Sequence, residues 1–215
     1  MRLSGAAVLA ILAQTPAGAQ ELCVTNGVIA SAPAGLRRVD GASSRAVVNG
    51  SDGSAAELRF RYLGPSAETK PLASGAVRRQ IGLKLHAQDA CNLIYAMWRI
   101  EPEAGIVVSA KLNPGRRRSA ECHAEGYANL APAEAAEPPP LRPGSWRVLR
   151  AEARGAEILV TVDGRLAWRG ALPAAARRLE GPAGLRSDNA RFEFTLRTTP
   201  GARNSGDRCA EEAGD

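Results

Sequence analysis

Two histidines, four cysteines, scattered carboxylates and a surplus of arginine are the groups in these 215 residues that could do chemistry. His86 and His123 are the only imidazoles. A Ser-His-Asp hydrolase would need one of them, yet no G-x-S-x-G elbow occurs. Arg59, Arg61, Lys84 and His86 fall on the outward positions of alternating segments. Together they would form a cationic surface able to hold an anionic sugar or another acidic ligand through charge-assisted hydrogen bonds. The plainer reading is a solvated sheet face with cross-strand pairing to Glu57. Tyr95, Trp98 and Arg99 would extend that surface with a stacking platform, or else supply core. Asp188 and Asn189 offer oxygens to calcium, or simply cap a turn. No other cofactor is expected.

Cys23, Cys91, Cys122 and Cys209 are an even set. Residues 1–19 read as a secretory signal: Arg2, then the apolar run from Ala6 to Ala13, then the A-x-A site Ala17-Gly18-Ala19. A buried first helix is the alternative. Export to an oxidising compartment, secreted or periplasmic, implies disulfides. Three connectivities exist for four cysteines, and Cys23–Cys209 with Cys91–Cys122 is the favoured one. The rival is a metal site from Cys91, Cys122, His86 and His123, whose spacings match no common zinc knuckle.

The formal charge is +6, from 28 basic and 22 acidic residues. Arginine dominates the basic set, alongside abundant Ala, Gly and Pro, as coding bias in a GC-rich genome would produce. The positive charges are interspersed with Asp and Glu, and the only cluster is Arg116-Arg117-Arg118, so no nucleic-acid partner is expected. No apolar run approaches the ~20 residues of a transmembrane helix. The chain is too apolar for general disorder and long enough for one cored domain. That domain is placed at residues 20–199, with a proline-rich surface loop at 131–144 and a polar tail at 200–215. Oligomeric state has no signature in the sequence.

The elements that would position these groups are strands. Leu58, Phe60 and Tyr62 alternate with Glu57, Arg59 and Arg61, the period-2 pattern of a half-buried strand. Ile81, Leu83 and Leu85 alternate likewise around Lys84. Residues 92–100 are apolar on both faces, as in an interior strand. Further strands are expected at 106–112, 146–153, 157–162, 165–168, 181–186 and 190–198. Asp163-Gly164 is a strong two-residue hairpin turn. Many short strands with regular turn signals predict an all-β sandwich or barrel.

Gly144-Ser145-Trp146, Val162-Asp163-Gly164 and the run from Gly181-Pro182-Ala183-Gly184-Leu185 to Phe192-Glu193-Phe194 resemble a concanavalin A-like lectin/glucanase domain. The match is good over residues 141–198 and only a pattern over 56–112. The resemblance implies a two-sheet antiparallel jelly-roll sandwich and a glycan ligand on a sheet face or rim loops. Trp146 is expected to fill the gap between sheets. Glucanases of this fold carry E-x-D-x-x-E on one strand, and no such run occurs here. A non-catalytic glycan-binding module is therefore the leading expectation. A sugar hydrolase with an unrecognised acid pair and a protein-binding adhesion module are the alternatives.

Overall fold

The computed structural model describes residues 21–201. The expected signal segment and Cys209 lie outside the described residues. Four short strands come first: β1 (Leu22–Asn26), β2 (Ile29–Ser31), β3 (Arg37–Val39) and β4 (Ser43–Val48). β5 (Ser51–Pro65), β6 (Arg79–Leu85), β7 (Leu93–Glu101) and β8 (Gly105–Lys111) follow. A helical turn, α1 (Ser119–Cys122), precedes β9 (Tyr127–Asn129) and β10 (Glu134–Ala135). The rest is β11 (Trp146–Arg154), β12 (Glu157–Val162), β13 (Arg165–Ala171), β14 (Gly184–Asp188) and β15 (Ala190–Pro200).

Two antiparallel sheets result. One has seven strands in the order β1-β4-β14-β6-β7-β8-β9, the other eight in the order β10-β13-β12-β11-β5-β15-β3-β2. This is the expected all-β jelly-roll sandwich. Alternation explains the core: Leu58, Phe60, Ile81, Leu83, Ile94, Trp98, Phe192 and Phe194 turn inward and are buried. Phe60 sits edge-on to Trp98 at 5.9 Å and to Phe192 at 6.1 Å, bridging the sheets. Side chains of this size contribute about 1.5–3 kcal/mol each on full burial. Asp163 and Gly164 both take positive φ, +49° and +79°, as a type I′ hairpin between β12 and β13 requires.

Three sequence expectations need correction or detail. Trp146 does not fill the inter-sheet gap. Its ring is partly exposed on the outer face of the eight-stranded sheet, with the guanidinium of Arg59 4.7 Å and that of Arg61 5.7 Å from its centre. Trp98 and Trp168 occupy the interior instead. Residues 131–144 are not wholly loop, since β10 pairs there with β13. Cys91 and Cys122 form the expected disulfide, which removes them from any metal site. Cys23 is disulfide-bonded as well.

Candidate functional site

The inward residues of the seven-stranded sheet make the core, so the alternate residues line its outer face. There a groove encloses about 270 Å³. Its floor follows from register. Gln80 lies opposite Arg99 and Asp188; Gly82 lies between Arg186 and Met97. Lys84 faces Tyr95, Tyr95 faces Ser109, and Ser109 faces Asn129. Lys111 faces Tyr127, and Arg186 faces Arg45. Gly82 is required for close approach: a Cβ there would stand 2.4 Å from the Ala96 carbonyl oxygen and 2.6 Å from Met97 Sδ.

Aromatic rings and cations interleave on this floor. Tyr95 and Tyr127 stack at 5.9 Å with 17° between planes. Arg186 lies 4.9 Å from the Tyr95 ring centre, and Lys111 Nζ 5.1 Å from that of Tyr127. Tyr95 is buried, whereas Tyr127 keeps 40% of its surface. Arg186 Nη1 donates to the Tyr127 hydroxyl at 3.0 Å, and its Nε donates to Asp188 Oδ2 at 2.8 Å. Gln80 Nε2 donates to the same carboxylate oxygen at 2.7 Å. Burial opposes the Arg186 charge, but Asp188 and the tyrosine oxygens outweigh it and raise its pKa. Burial also pushes the Tyr127 hydroxyl up, so it stays protonated. At the Gln80 end, burial and then the charge of Arg78 push the Arg99 guanidinium down.

Two loops wall the groove. Residues 66–78 contribute Leu72, Ala73, Ser74 and Arg78. This loop is held by Asn189, in the tight turn between β14 and β15. Asn189 Nδ2 donates to the carbonyls of Lys70 (2.9 Å) and Arg78 (2.8 Å), and its Oδ1 accepts from Lys70 N–H at 2.8 Å. The other wall is α1 with Ser119, His123 and Ala124. Its clamp is the Cys91–Cys122 disulfide with two buried asparagines. Asn92 Nδ2 donates to Arg116 O and to Asp89, and Asn113 Nδ2 donates to Cys91 O and Glu125 O.

Of the residues singled out in the sequence, the groove brings together Lys84, Tyr95 and Arg99, with His123 on its wall. Arg59 and Arg61 lie on the opposite sheet, where Arg61 pairs with Glu193 at 2.5 Å. Trp98 is core. His86 breaks its strand's alternation at φ +44° and is half-buried; desolvation lowers its pKa, against Asp52 and Glu180. Asp188 and Asn189 are engaged by Gln80, Arg186 and the 66–78 loop. No group of three or more His, Cys, Asp or Glu able to hold a metal occurs among the described residues. Sequence reasoning missed Arg45, Arg186, Lys111 and Tyr127. Extending the alternation through Gly184-Arg186-Asp188 and Ser109-Lys111 would have placed two of them on the face of Lys84.

No protein-family model and no curated protein matches the chain. Solved structures do. The carbohydrate-binding module CBM66 from Bacillus subtilis aligns with a TM-score of 0.57 at 19% identity, over 86% of this chain and 96% of that one. A tetrameric galectin from Cinachyrella sp. aligns at 0.47 and 9%, over 76% of this chain and 99% of that one. Domain 4 of an extracellular GH43 arabinanase from Geobacillus stearothermophilus aligns at 0.45 and 11%, over 89% and 86%. The first of these places the chain in the concanavalin A-like, lectin-type jelly-roll fold.

Proposed function

We propose that this protein is a non-catalytic glycan-binding module of the extracellular or periplasmic space, and that its ligand lies in the groove on the seven-stranded sheet. The observation that carries the reading is the exposed Tyr127 ring in a walled groove lined by hydrogen-bonding side chains. A pyranose presents an apolar face and a rim of hydroxyls, so it needs a ring to lie on and donors around it. Tyr127 supplies the ring; Gln80, Ser109, Asn129 and Lys84 line the same groove. The groove offers hydrolysis little support. Glycosidases use two carboxylates about 5–10 Å apart across the scissile bond. Among the described residues, the groove lining includes no Asp or Glu. The Cys91–Cys122 disulfide fits an oxidising compartment. The likeness to a carbohydrate-binding module adds fold-level support.

A glycan array with the purified protein tests the reading. Binding to a defined set of glycans is expected, and Tyr127→Ala should weaken it about tenfold or more through loss of stacking. Silence across neutral and acidic glycans would overturn the glycan reading. Release of reducing ends from any bound glycan would overturn the non-catalytic part.

A further inference from the structure

We infer that Arg186 is the positioning residue for the Tyr127 ring, and that the Tyr127 hydroxyl serves the site by binding Arg186 rather than by touching the glycan. The inference rests on the glycan reading above and deepens it.

Sheet order makes their contact a long reach. Arg186 is on β14 and Tyr127 on β9, with β6, β7 and β8 between them. Four strand spacings separate the two backbones, roughly 19 Å along the sheet. Yet Arg186 Nη1 donates to the Tyr127 hydroxyl at 3.0 Å. The two side chains must therefore lie along the floor from opposite sides and meet near its middle. β7 is the middle strand, and its buried Tyr95 meets both. The Arg186 guanidinium is 4.9 Å from the Tyr95 ring centre, and the Tyr127 ring is 5.9 Å away and nearly parallel. The residue facing Arg186 on β6 is Gly82, so no side chain there stands in the way.

The two ends of this contact are held unequally. Arg186 is fixed without Tyr127: its Nε donates to Asp188 Oδ2 at 2.8 Å, and Gln80 Nε2 donates to the same oxygen at 2.7 Å. All three of these residues are buried. β9 has three residues, all exposed, and among the described residues it pairs with β8 alone. A side chain on so short an edge strand has rotamer freedom to lose when a sugar stacks on it. The charge-assisted bond from Arg186 removes that freedom before the sugar arrives. Arginine suits the task because its planar fork gives one nitrogen to Asp188 and another to Tyr127, which a point-like ammonium does not reproduce. The alternative is that the Tyr127 hydroxyl bonds the glycan itself and Arg186 only balances Asp188. The two readings differ in how a pair of substitutions combines.

The test is isothermal titration of the purified protein with cellohexaose, laminarihexaose, mannohexaose and oligogalacturonate. Tyr127→Phe keeps the ring and loses the hydroxyl. Arg186→Lys keeps the charge and loses the fork. Each should weaken the tightest of these probes about three- to tenfold, and the two together no more than the more damaging one alone. In the absence of sugar, the NMR signals of the Arg186 guanidinium should shift in Tyr127→Phe, a variant that leaves the bonds to Asp188 in place. Full affinity in Tyr127→Phe would overturn the inference and leave the glycan reading standing. Losses that multiply in the double variant would do the same, since they would mean that the hydroxyl and Arg186 act separately. Unmoved guanidinium signals would also overturn the inference, whether or not Arg186→Lys folds. No binding by any sugar would overturn both.

Discussion

Glu121 shows how one exposed side chain shapes the site. Its carboxylate accepts hydrogen bonds from the backbone N–H of Arg117 (2.8 Å) and of Arg118 (3.1 Å), and from Arg118 Nε (3.0 Å). These bonds, the Arg117 one foremost, pull its pKa from 4.5 to about 2. The turn so capped delivers Cys122 to the disulfide and His123 to the groove wall. A depressed carboxylate pKa means the bonds help folding above the unfolded value near 4.5. That help is lost as pH falls through about 2. Carboxyl NMR should therefore find the Glu121 titration midpoint near 2, well below other exposed glutamates. Amide exchange at Arg117 and Arg118 should quicken in Glu121→Gln at neutral pH. A midpoint at the ordinary value of about 4.3 would refute the cap. Residues of this kind are hard to read in a sequence. Glu121 follows three arginines and looks like part of a solvated run, because its partners are backbone groups that only a turn brings within reach.

At the scale of elements, the 66–78 loop depends on a side chain far away in sequence. Asn189 holds it with three hydrogen bonds while sitting at φ +54°, a conformation that asparagine tolerates better than most residues. Asn189→Gly keeps the backbone and removes the bonds, so it should cost about 1–3 kcal/mol in chemical denaturation. Asn189→Ala adds a Cβ at positive φ and should cost about 1 kcal/mol more. Both should quicken hydrogen exchange across 66–78 and weaken any ligand that touches Arg78. Unchanged stability in the glycine variant would show that the loop is held by something else. Strand legibility followed the same logic of side-chain contrast. β5 from Glu57 on, β6 and β15 alternate large apolar with charged residues and were readable. β1 to β4 and the start of β5 are short or built from Ser, Ala and Gly, which blur alternation. β1 and β4, at one edge of the groove's sheet, are therefore not legible, and Arg45 with them. Trp146 was misplaced because a large aromatic beside a turn fits the gap between sheets as well as a cation-flanked outer face. Only pairing with Arg61 across β5 decides the side.

The whole molecule joins a two-sheet core to a groove whose walls are secured separately. The jelly roll was legible because its core residues recur every second position through several long strands. The groove was legible only in part, because its floor crosses strands far apart in the chain, and its walls are loops whose anchors are asparagines and a disulfide. Cys91–Cys122 closes a loop of sequence separation 31 that takes in β7, β8 and the Arg116–Arg118 segment. In the chain-entropy model, closing a loop of that length stabilises by about 3–4 kcal/mol. Both cysteines are fully buried, so the sulfurs also fill space between α1 and the segment leading into β7. Cys91→Ala with Cys122→Ala should therefore lower unfolding free energy by about 3–4 kcal/mol while leaving the strand signature in circular dichroism intact, since the inter-sheet core does not include the bridge. The groove should suffer more than the core. With α1 untethered, His123 and Ser119 lose their fixed place, and ligand affinity should drop further than Asn189→Gly lowers it. Equal denaturation midpoints for the variant and the parent protein would mean that Asn92, Asn113 and Asp89 hold that wall without the covalent bond.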